Sequence, residues 1–399
     1  MSNKVTQQSP DDVVIVGAYR SALTKGGRGN FKDVSSDYLL NKLAVEFIKK
    51  TKVDPSLVQD VVIGNVLRPR GGDFEHRAAL LAAGLPYTTP FVAINRFCSS
   101  GLIAISEVAN KIRLGEIDCG LAGGVESMSK DYGPNAITKY DPAMEDNEEV
   151  QKCQIPMGIT NENVCSKFGI SREEQDRFAA SSFNKAEKAQ KEGKFKSEIL
   201  PIEAFVEEED DDDNVTEKKI IVDQDEGIRN GVTPEKLAKI KPAFKKDGST
   251  SAGNASQVTD GAALVLLMRR SFAEKHGYEI LAKYLGTWVV GVPPEIMGIG
   301  PAVAIPKALK KTGLSVDDIS VFEINEAFAG QCLYSIQSVG IPEEKVNLNG
   351  GAIALGHPMG ATGARQYATI LPLLKKGEIG LTSMCIGTGQ GAASIIVRE

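Results

Sequence analysis

An apolar stretch and an amphipathic stretch meet at residues 96–99. Residues 90–95 are mostly apolar and predict a buried strand. A helical spacing of apolar side chains follows, at Leu102, Ile105, Val108, Ala109 and Ile112. Ser99 and Ser100 suit the entrance to that helix. Cys98 is therefore predicted to lie between the end of a strand and the start of a helix, where functional groups of α/β sheets gather.

A second junction of this kind carries a histidine. Residues 346–352 lead into the glycine-rich stretch 356–363. A helical stripe of side chains then follows, at Ala364, Tyr367, Ala368, Leu371 and Leu374. His357 is one of 3 histidines in the chain, and the glycines around it allow tight turns and close approach of a ligand.

The order of predicted elements repeats along the chain. The first half predicts a helix near 36–50 and strands at 13–18, 61–66 and 119–124. The second half predicts a helix at 301–312 and strands at 280–290, 321–325 and 380–385. Cys98 and His357 each precede the last strand of their half, so they fall at equivalent points of the two repeats.

The stretch between the repeats has a different texture. Residues 171–192 form a strongly charged helix candidate with Glu173 and Glu174 near its start. The acidic run 207–213 is interpreted as a solvated loop without an assigned function. The repeats are thus interrupted by an insertion of about 130–257.

Composition narrows the class of protein. With 399 residues, 42% hydrophobic and 25% charged, the chain can bury a large core and is expected to form more than one domain. A formal net charge of -6 argues against general nucleic-acid binding. No apolar run approaches the roughly 20 residues that span a bilayer, and no secretory signal is recognisable. The 6 cysteines show no metal-ligand spacing, which favours a reducing compartment and no metal site.

Two cysteines in glycine-rich turns suggest thiol chemistry. A thiol at a helix entrance is expected to ionise readily, because free amides and the helix dipole stabilise a thiolate there. Cys98 fits this description, and Cys385 lies in the turn 385–391, which holds three glycines. His357 supplies a base. The residues therefore predict a nucleophile, a base and a second acid or base.

Several stretches together resemble the thiolase family over nearly the whole chain. They are residues 95–101, 123–128, 155–164, 252–256, 321–328, 356–363 and 385–391. The resemblance implies a five-layered αβαβα fold of two similar halves with an inserted loop domain over the active site. It assigns 1–129, completed by 258–271, to the N-terminal half, 130–257 to the loop domain, and 272–399 to the C-terminal half.

The same resemblance implies thiolytic cleavage of a 3-ketoacyl-CoA by CoA, through an acyl group on Cys98. His357 takes the thiol proton, and Cys385 handles the enolate proton and the incoming CoA thiol. Asn325 with His357 holds one oxyanion, and the amides of Cys98 and Gly387 hold the other. No cofactor or metal is expected, because CoA is a substrate, and the implied assembly is a homodimer or a dimer of dimers.

The resemblance also implies where CoA binds. The expected contacts are Arg229 with the nucleotide, Ser256 with the pantetheine amides, and apolar walls from Met157, Phe244 and Phe328. Two other readings stay open on the same fold: a short-chain acetoacetyl-CoA thiolase working in the condensing direction, and a non-catalytic acyl-CoA or lipid carrier. A condensing synthase is disfavoured, because that class resembles Cys-His-His or Cys-His-Asn sites.

Two residues depart from the family's pattern, and both ends of the chain leave the location open. Phe97 stands where glutamine is usual before the nucleophile, and Met359 stands where leucine is common. A peroxisomal location is expected by resemblance, with the cytoplasm as the alternative. The last three residues, 397–399, are not the peroxisomal tripeptide, and residues 4–9 only partly resemble the family's N-terminal signal, because Asp11 and Asp12 interrupt it.

Overall fold

A computed structural model describes residues 5–133, 140–209 and 215–399 of the chain. Within them the strands are β1 Val13–Arg20, β2 Thr24–Lys25, β3 Val61–Gly64, β4 Phe91–Ile94, β5 Cys119–Ser127, β6 Ile202–Glu209, β7 Val215–Val222, β8 Thr259–Arg269, β9 Ala282–Gly291, β10 Val321–Ile324, β11 Ile379–Ile386 and β12 Gln390–Arg398. The acidic run that was expected to be a loop partly belongs to β6, and its residues 210–213 lie outside the described residues.

The helices are α1 Ser36–Thr51, α2 Asp73–Ala82, α3 Ser100–Leu114, α4 Met128–Asp131, α5 Glu148–Cys153, α6 Met157–Phe168, α7 Arg172–Lys191, α8 Pro234–Ala238, α9 Arg270–Lys275, α10 Gly300–Thr312, α11 Ala329–Val339, α12 Ala352–Leu355 and α13 Thr362–Ile370. The charged helix predicted at 171–192 is α7, and Ser171 begins it with a capping box that includes Glu174. No helix in the described ranges combines the length and apolarity needed to cross a membrane.

The strands form one twisted array with a repeat in it. Its order is β10-β11-β12-β9-β1-β8-β5-β3-β4, with β2 paired to β8, and β6 and β7 form a separate hairpin. The two halves join where β1 meets β9, through the pairs Val14 with Lys283 and Ile15 with Ala282. In the first half, β4 leads to Cys98 and runs parallel to β3. In the second half, Val346, on the way to His357, forms an isolated parallel bridge to Phe322 of β10. The equivalence predicted for Cys98 and His357 is therefore present in the topology.

Helices cover both faces of each half and also fill the space between the halves. α3 and α13 pack against each other between the two halves of the array, which are joined at β1 and β9 and form one sheet layer each, in a core with Leu102, Ile105, Tyr367 and Ile370. α1 covers the outer face of the first half, and α10 and α11 cover that of the second. The succession helix, sheet, paired helices, sheet, helix gives the five layers αβαβα that were expected.

The strand before Cys98 is less buried than the sequence predicts. Residues 90–95 read as a buried strand, but β4 lies at the end of the strand order and is only partly buried, with Val92 40% exposed. An edge strand has a neighbour on one side only, so an apolar sequence does not guarantee its burial. Cys98 is nevertheless buried, because the chain turns inward after β4.

Candidate active site

The turn that carries Cys98 is held in a strained conformation by its own hydroxyl groups. Phe97 has a positive φ of 45°, a region that bulky residues rarely adopt. The Ser100 hydroxyl donates to the Phe97 carbonyl at 2.6 Å, and the Arg96 amide donates to the Ser100 hydroxyl at 2.9 Å. Ser99 does not cap α3 with its side chain and instead donates to the Arg96 carbonyl at 3.0 Å. These bonds fix Cys98 directly before the first turn of α3.

The Cys98 thiol is not poised as the sequence predicted. Burial raises the pKa of Cys98 to about 11, although the amides of Gly387 and Cys98 lower it. The expected ionisation at the helix entrance is wrong for this structure, because the loss of water around a buried thiolate outweighs the amides. A thiolate at Cys98 therefore needs a base that takes its proton directly.

His357 has the protonation state that a base needs. Burial, and then the charge of Arg365, lower the pKa of His357 to about 3, so the imidazole is neutral at physiological pH. The Thr362 hydroxyl donates to the Pro358 carbonyl at 3.1 Å and lies 2.6 Å from His357 Nδ1. Since that hydroxyl spends its hydrogen on Pro358, it accepts from Nδ1–H, and the lone pair is on Nε2.

Asn325 faces the free nitrogen of His357. Its Nδ2 lies 3.4 Å from His357 Nε2, and its backbone amide donates to the Ser383 carbonyl at 2.9 Å. Its Oδ1 is buried without a hydrogen-bond partner in the described part of the chain. The end of β10 thus places an amide side chain beside the imidazole and next to β11, which carries Cys385.

Close approach of the inner helices brings the two junctions together. A Cβ on Gly101 would lie 2.7 Å from the Gly360 carbonyl oxygen, and one on Gly363 would lie 2.3 Å from the Leu102 amide nitrogen. Only glycine allows these contacts, so the turn after His357 packs directly on the first turn of α3.

Cys385 lies at the end of β11 and is fully buried. Burial raises the pKa of its thiol, and the nearby Cys98 raises it further, which places the two sulfur atoms within electrostatic reach of each other. Two positions further along, Gly387 directs its amide at the Cys98 sulfur. The structure therefore unites Cys98, Cys385 and Gly387, with His357 and Asn325 on the adjoining turn and strand.

Three of the predicted CoA contacts form a continuous apolar strip. The Phe244 ring packs on Gly158, next to Met157, and meets the Phe328 ring edge to face with 6.0 Å between centroids. Phe328 in turn belongs to the same small buried cluster as Cys385. Met157 is 37% exposed, Phe244 42% and Phe328 9%, so the strip runs from the surface to the buried thiol.

Of the other two predicted CoA contacts, Ser256 lies beside the apolar strip and Arg229 does not contact it. Ser256 is half-buried and its amide donates to the Ala327 carbonyl at 3.0 Å, which places it beside Phe328. Arg229 is exposed, and its guanidinium lies 5.6 Å from the centre of the Phe183 ring on α7. No contact among the described residues joins Arg229 to the apolar strip.

Sequence reasoning missed several residues that hold the site. Thr362 and Glu126 lie inside stretches that were singled out, yet no role was assigned to either. The side-chain amide of Gln257 donates to the carbonyls of Gly227 and Ile353, and its backbone carbonyl accepts the His357 amide. Gln257 therefore links Gly227, two residues before Arg229, to His357. The only signal in the sequence was a polar residue within or near a glycine-rich stretch. Across the described residues, no group of His, Cys, Asp and Glu is arranged to hold a metal ion.

Comparisons with known proteins agree with this geometry. The family "Thiolase, N-terminal domain" matches residues 13–271, and "Thiolase, C-terminal domain" matches residues 278–398. The chain is 64% identical over 396 residues to 3-ketoacyl-CoA thiolase B, peroxisomal, from Candida tropicalis, and the match covers 99% of this chain and 96% of that relative.

Two solved structures of yeast thiolase are similar over almost the whole chain. The dimeric peroxisomal thiolase of Saccharomyces cerevisiae superposes with a TM-score of 0.93 at 55% identity and covers 100% of both chains. A second structure, peroxisomal 3-ketoacyl-CoA thiolase of the same yeast, is described as a five-layered A-B-A-B-A structure and gives a TM-score of 0.82 at 50% identity, with 98% of this chain and 99% of that chain covered. The chain therefore belongs to the thiolase family.

Proposed function

We propose that this protein is a 3-ketoacyl-CoA thiolase, an acetyl-CoA C-acyltransferase, that cleaves 3-ketoacyl-CoA with CoA to give acetyl-CoA and an acyl-CoA two carbons shorter. The observation that carries the proposal is that two buried thiols, Cys98 and Cys385, lie within electrostatic reach of each other, with the Gly387 amide directed at the first and Gly387 beside Phe97. The Candida tropicalis relative, 64% identical, and the peroxisomal 3-ketoacyl-CoA thiolase of Saccharomyces cerevisiae, 55% identical over 405 residues, carry the same activity in their names.

In the first half-reaction, His357 Nε2 takes the Cys98 proton and the sulfur attacks the 3-keto carbon. The amides of Cys98 and Gly387 stabilise the resulting oxyanion. The bond between C2 and C3 then breaks, its electron pair forms the enolate of acetyl-CoA, and Cys385 protonates C2. The acyl group remains on Cys98 as a thioester, and Asn325 with His357 stabilises the enolate oxygen.

In the second half-reaction, the Cys385 thiolate takes the proton of the incoming CoA thiol. The CoA sulfur attacks the acyl carbon, and the Cys98–carbon bond breaks as the tetrahedral intermediate collapses. Cys98 leaves as a thiolate and recovers its proton from His357, which restores both residues. The high thiol pKa of Cys385 suits it to donate a proton to carbon, because burial keeps it protonated until the enolate forms.

The apolar strip and the two polar residues beside it supply the CoA site in this proposal. Met157, Phe244 and Phe328 line the path from the surface to Cys385. Ser256 meets the pantetheine amides, and Arg229 pairs with the nucleotide phosphates. No cofactor is required, since CoA is a substrate that ends as part of the shortened acyl-CoA.

The remaining organisation follows the relatives. We propose a loop domain at 130–257 between an N-terminal half at 1–129 with 258–271 and a C-terminal half at 272–399, because β8 returns to pair between β1 and β5. A peroxisomal location and a homodimer are proposed because similar thiolases are named peroxisomal and dimeric. Two such dimers could also associate into a tetramer. Measuring the molecular mass of the protein in solution distinguishes the dimer from the tetramer.

The direct test is an assay of the purified protein with CoA and 3-ketoacyl-CoA of several chain lengths. The expected result is loss of the 3-keto thioester for substrates longer than acetoacetyl-CoA. Cys98→Ser is expected to abolish the acyl-enzyme, and Cys385→Ser to retain acylation by an activated thioester while losing turnover. Turnover of acetoacetyl-CoA alone would favour a short-chain enzyme, and saturable binding without turnover would favour a carrier.

A further inference from the structure

Cys98 belongs to an apolar cluster that shares no residue with the proposed CoA strip. Leu67, Met128 and Met359 are buried against the thiol, and Val66 packs on the cluster from outside. These side chains come from three separate segments: the loop after β3, the start of α4, and the turn after His357. Three chain segments must therefore keep a fixed spacing for the cluster to keep its shape.

One carboxylate fixes all three segments. Glu126 lies two residues before Met128, and its Oε1 accepts the Leu67 amide at 3.1 Å. Its Oε2 accepts the Val66 amide at 3.1 Å and the Gly360 amide, one residue after Met359, at 2.9 Å. Three amide donors converge on one side chain directly behind the cluster.

This carboxylate is fully enclosed. Glu126 is 0% exposed, and burial raises its pKa to about 7 while the amides of Gly360, Leu67 and Val66 lower it. Asp131 is the other charge that acts on it, and Asp131 is paired with Arg68 at 3.1 Å. The negative charge of Glu126 also acts on Cys98, whose pKa it raises. A buried carboxyl group is costly, so its three bonds indicate a positional requirement.

We infer that Leu67, Met128 and Met359 receive the acyl group carried by Cys98, and that Glu126 is the positioning residue that sets the spacing of this wall. The inference rests on the proposed function. An aliphatic chain leaving the sulfur needs apolar surroundings, and the strip of Phe328 and Phe244 already serves the CoA side. Two unbranched methionine side chains can adapt to chains of different shape.

Glu126→Gln tests the positioning role. The amide keeps the shape of the side chain, but its NH₂ group opposes at least one of the three backbone donors. We expect kcat/KM to fall by about tenfold for longer 3-ketoacyl-CoA substrates and by less for acetoacetyl-CoA, because the wall shifts while the reacting groups remain. We also expect faster alkylation of Cys98 by iodoacetamide above about pH 7, where Glu126 is ionised in the unchanged protein, because the variant lacks that negative charge.

Glu162→Gln is the matched control. Glu162 is another buried carboxylate that accepts two backbone amides, those of Ser249 and Thr250, in the proposed loop domain. The Glu162→Gln substitution should lower the melting temperature of the protein without changing the rate of Cys98 alkylation. If Glu126→Gln behaves like this control, with an unchanged alkylation rate and an unchanged chain-length profile, the positioning role is overturned.

Met359→Ala tests the wall itself and remains informative if the Glu126 variant does not fold. Removing the side chain enlarges the cluster, so kcat/KM for branched or longer substrates should rise relative to acetoacetyl-CoA. If the ratio of kcat/KM for longer substrates to kcat/KM for acetoacetyl-CoA equals that of the unchanged protein, these side chains do not line the acyl site. Absence of turnover in the unchanged protein would refute the proposed function alone, because Cys98 alkylation and acyl transfer from an activated thioester, read by mass spectrometry, do not require it.

Discussion

At the scale of single residues, a hydroxyl group decides which nitrogen of His357 can act. Thr362 gives its hydrogen to Pro358 and accepts from Nδ1–H, which leaves Nε2 free toward Asn325. Both threonine and histidine were visible in one glycine-rich stretch, but the direction of a hydrogen bond is not written in the spacing of residues. The sequence indicated His357 as the proposed base, but it did not indicate the residue that orients the imidazole.

Thr362→Val should separate orientation from packing. The methyl group fills the same volume but leaves the buried Nδ1–H without an acceptor, and the cost of such a loss corresponds to a fall in kcat of about tenfold to a hundredfold. Steady-state kinetics of the purified variant measure it. Thr382→Val is the control, because the buried Thr382 hydroxyl has no partner among the described residues, and it should keep kcat. Equal activity of both variants would contradict the role of Thr362.

For Cys98, the sequence predicted the position of the thiol correctly but not its protonation state. The sequence placed Cys98 before a helix, and the helix is there. Its pKa, however, depends on how many atoms from distant segments exclude water from the sulfur. That number is set by Leu67, Met128 and Met359, which the sequence does not place beside Cys98.

At the scale of elements, glycines set how closely strands and turns approach. A Cβ on Gly124, in β5, would lie 2.0 Å from the Gly360 carbonyl oxygen, in the turn that follows His357. The sequence showed 40 glycines and predicted tight turns from them. Gly124 instead lies in a strand, and because it has no side chain, β5 can pack directly against the turn that follows His357. The sequence alone does not show this contact.

Gly124→Ala should therefore disturb stability and activity together. An added methyl group facing main-chain atoms has no room, so we expect unfolding to become easier by about 2–3 kcal/mol, together with a loss of kcat. Urea unfolding at fixed protein concentration and the thiolysis assay measure the two effects. Gly291→Ala, at the exposed end of β9, meets open space and should change neither. A stable, active Gly124 variant would show that the turn can yield.

At the scale of the whole molecule, a buried arginine joins the insertion to the first half. Arg20, at the end of β1, donates to both oxygens of Asp225 at 2.7 and 2.8 Å and to Glu198 at 2.7 Å. All three side chains are almost completely buried. Arg20 thus ties two distant points of the insertion to one strand end, and the carboxylates hold the pKa of Arg20 above its ordinary value despite its burial.

Arg20→Met should loosen this connection. Two buried carboxylates lose their countercharge, which is expected to cost about 3–5 kcal/mol of folding free energy. Limited proteolysis should then cut the segment between Glu198 and Asp225 more readily, and denaturant unfolding should show the loss directly. Lys49→Met, which breaks an exposed pair with Glu46, is the comparison and should change stability by less than about 1 kcal/mol. Similar stability of the two variants would refute the role of Arg20.

The sequence by itself determined the repeated order of the strands and helices that frame the site, and it indicated the side chains that are proposed to react. These follow from local periodicity and from residue types that few other chemistries require. Only the tertiary structure decided that β4 is an edge strand, that Cys98 is neutral, and that Glu126 holds three segments together. Such properties are sums over contacts between residues far apart in the chain, and no local pattern records which neighbours exclude water.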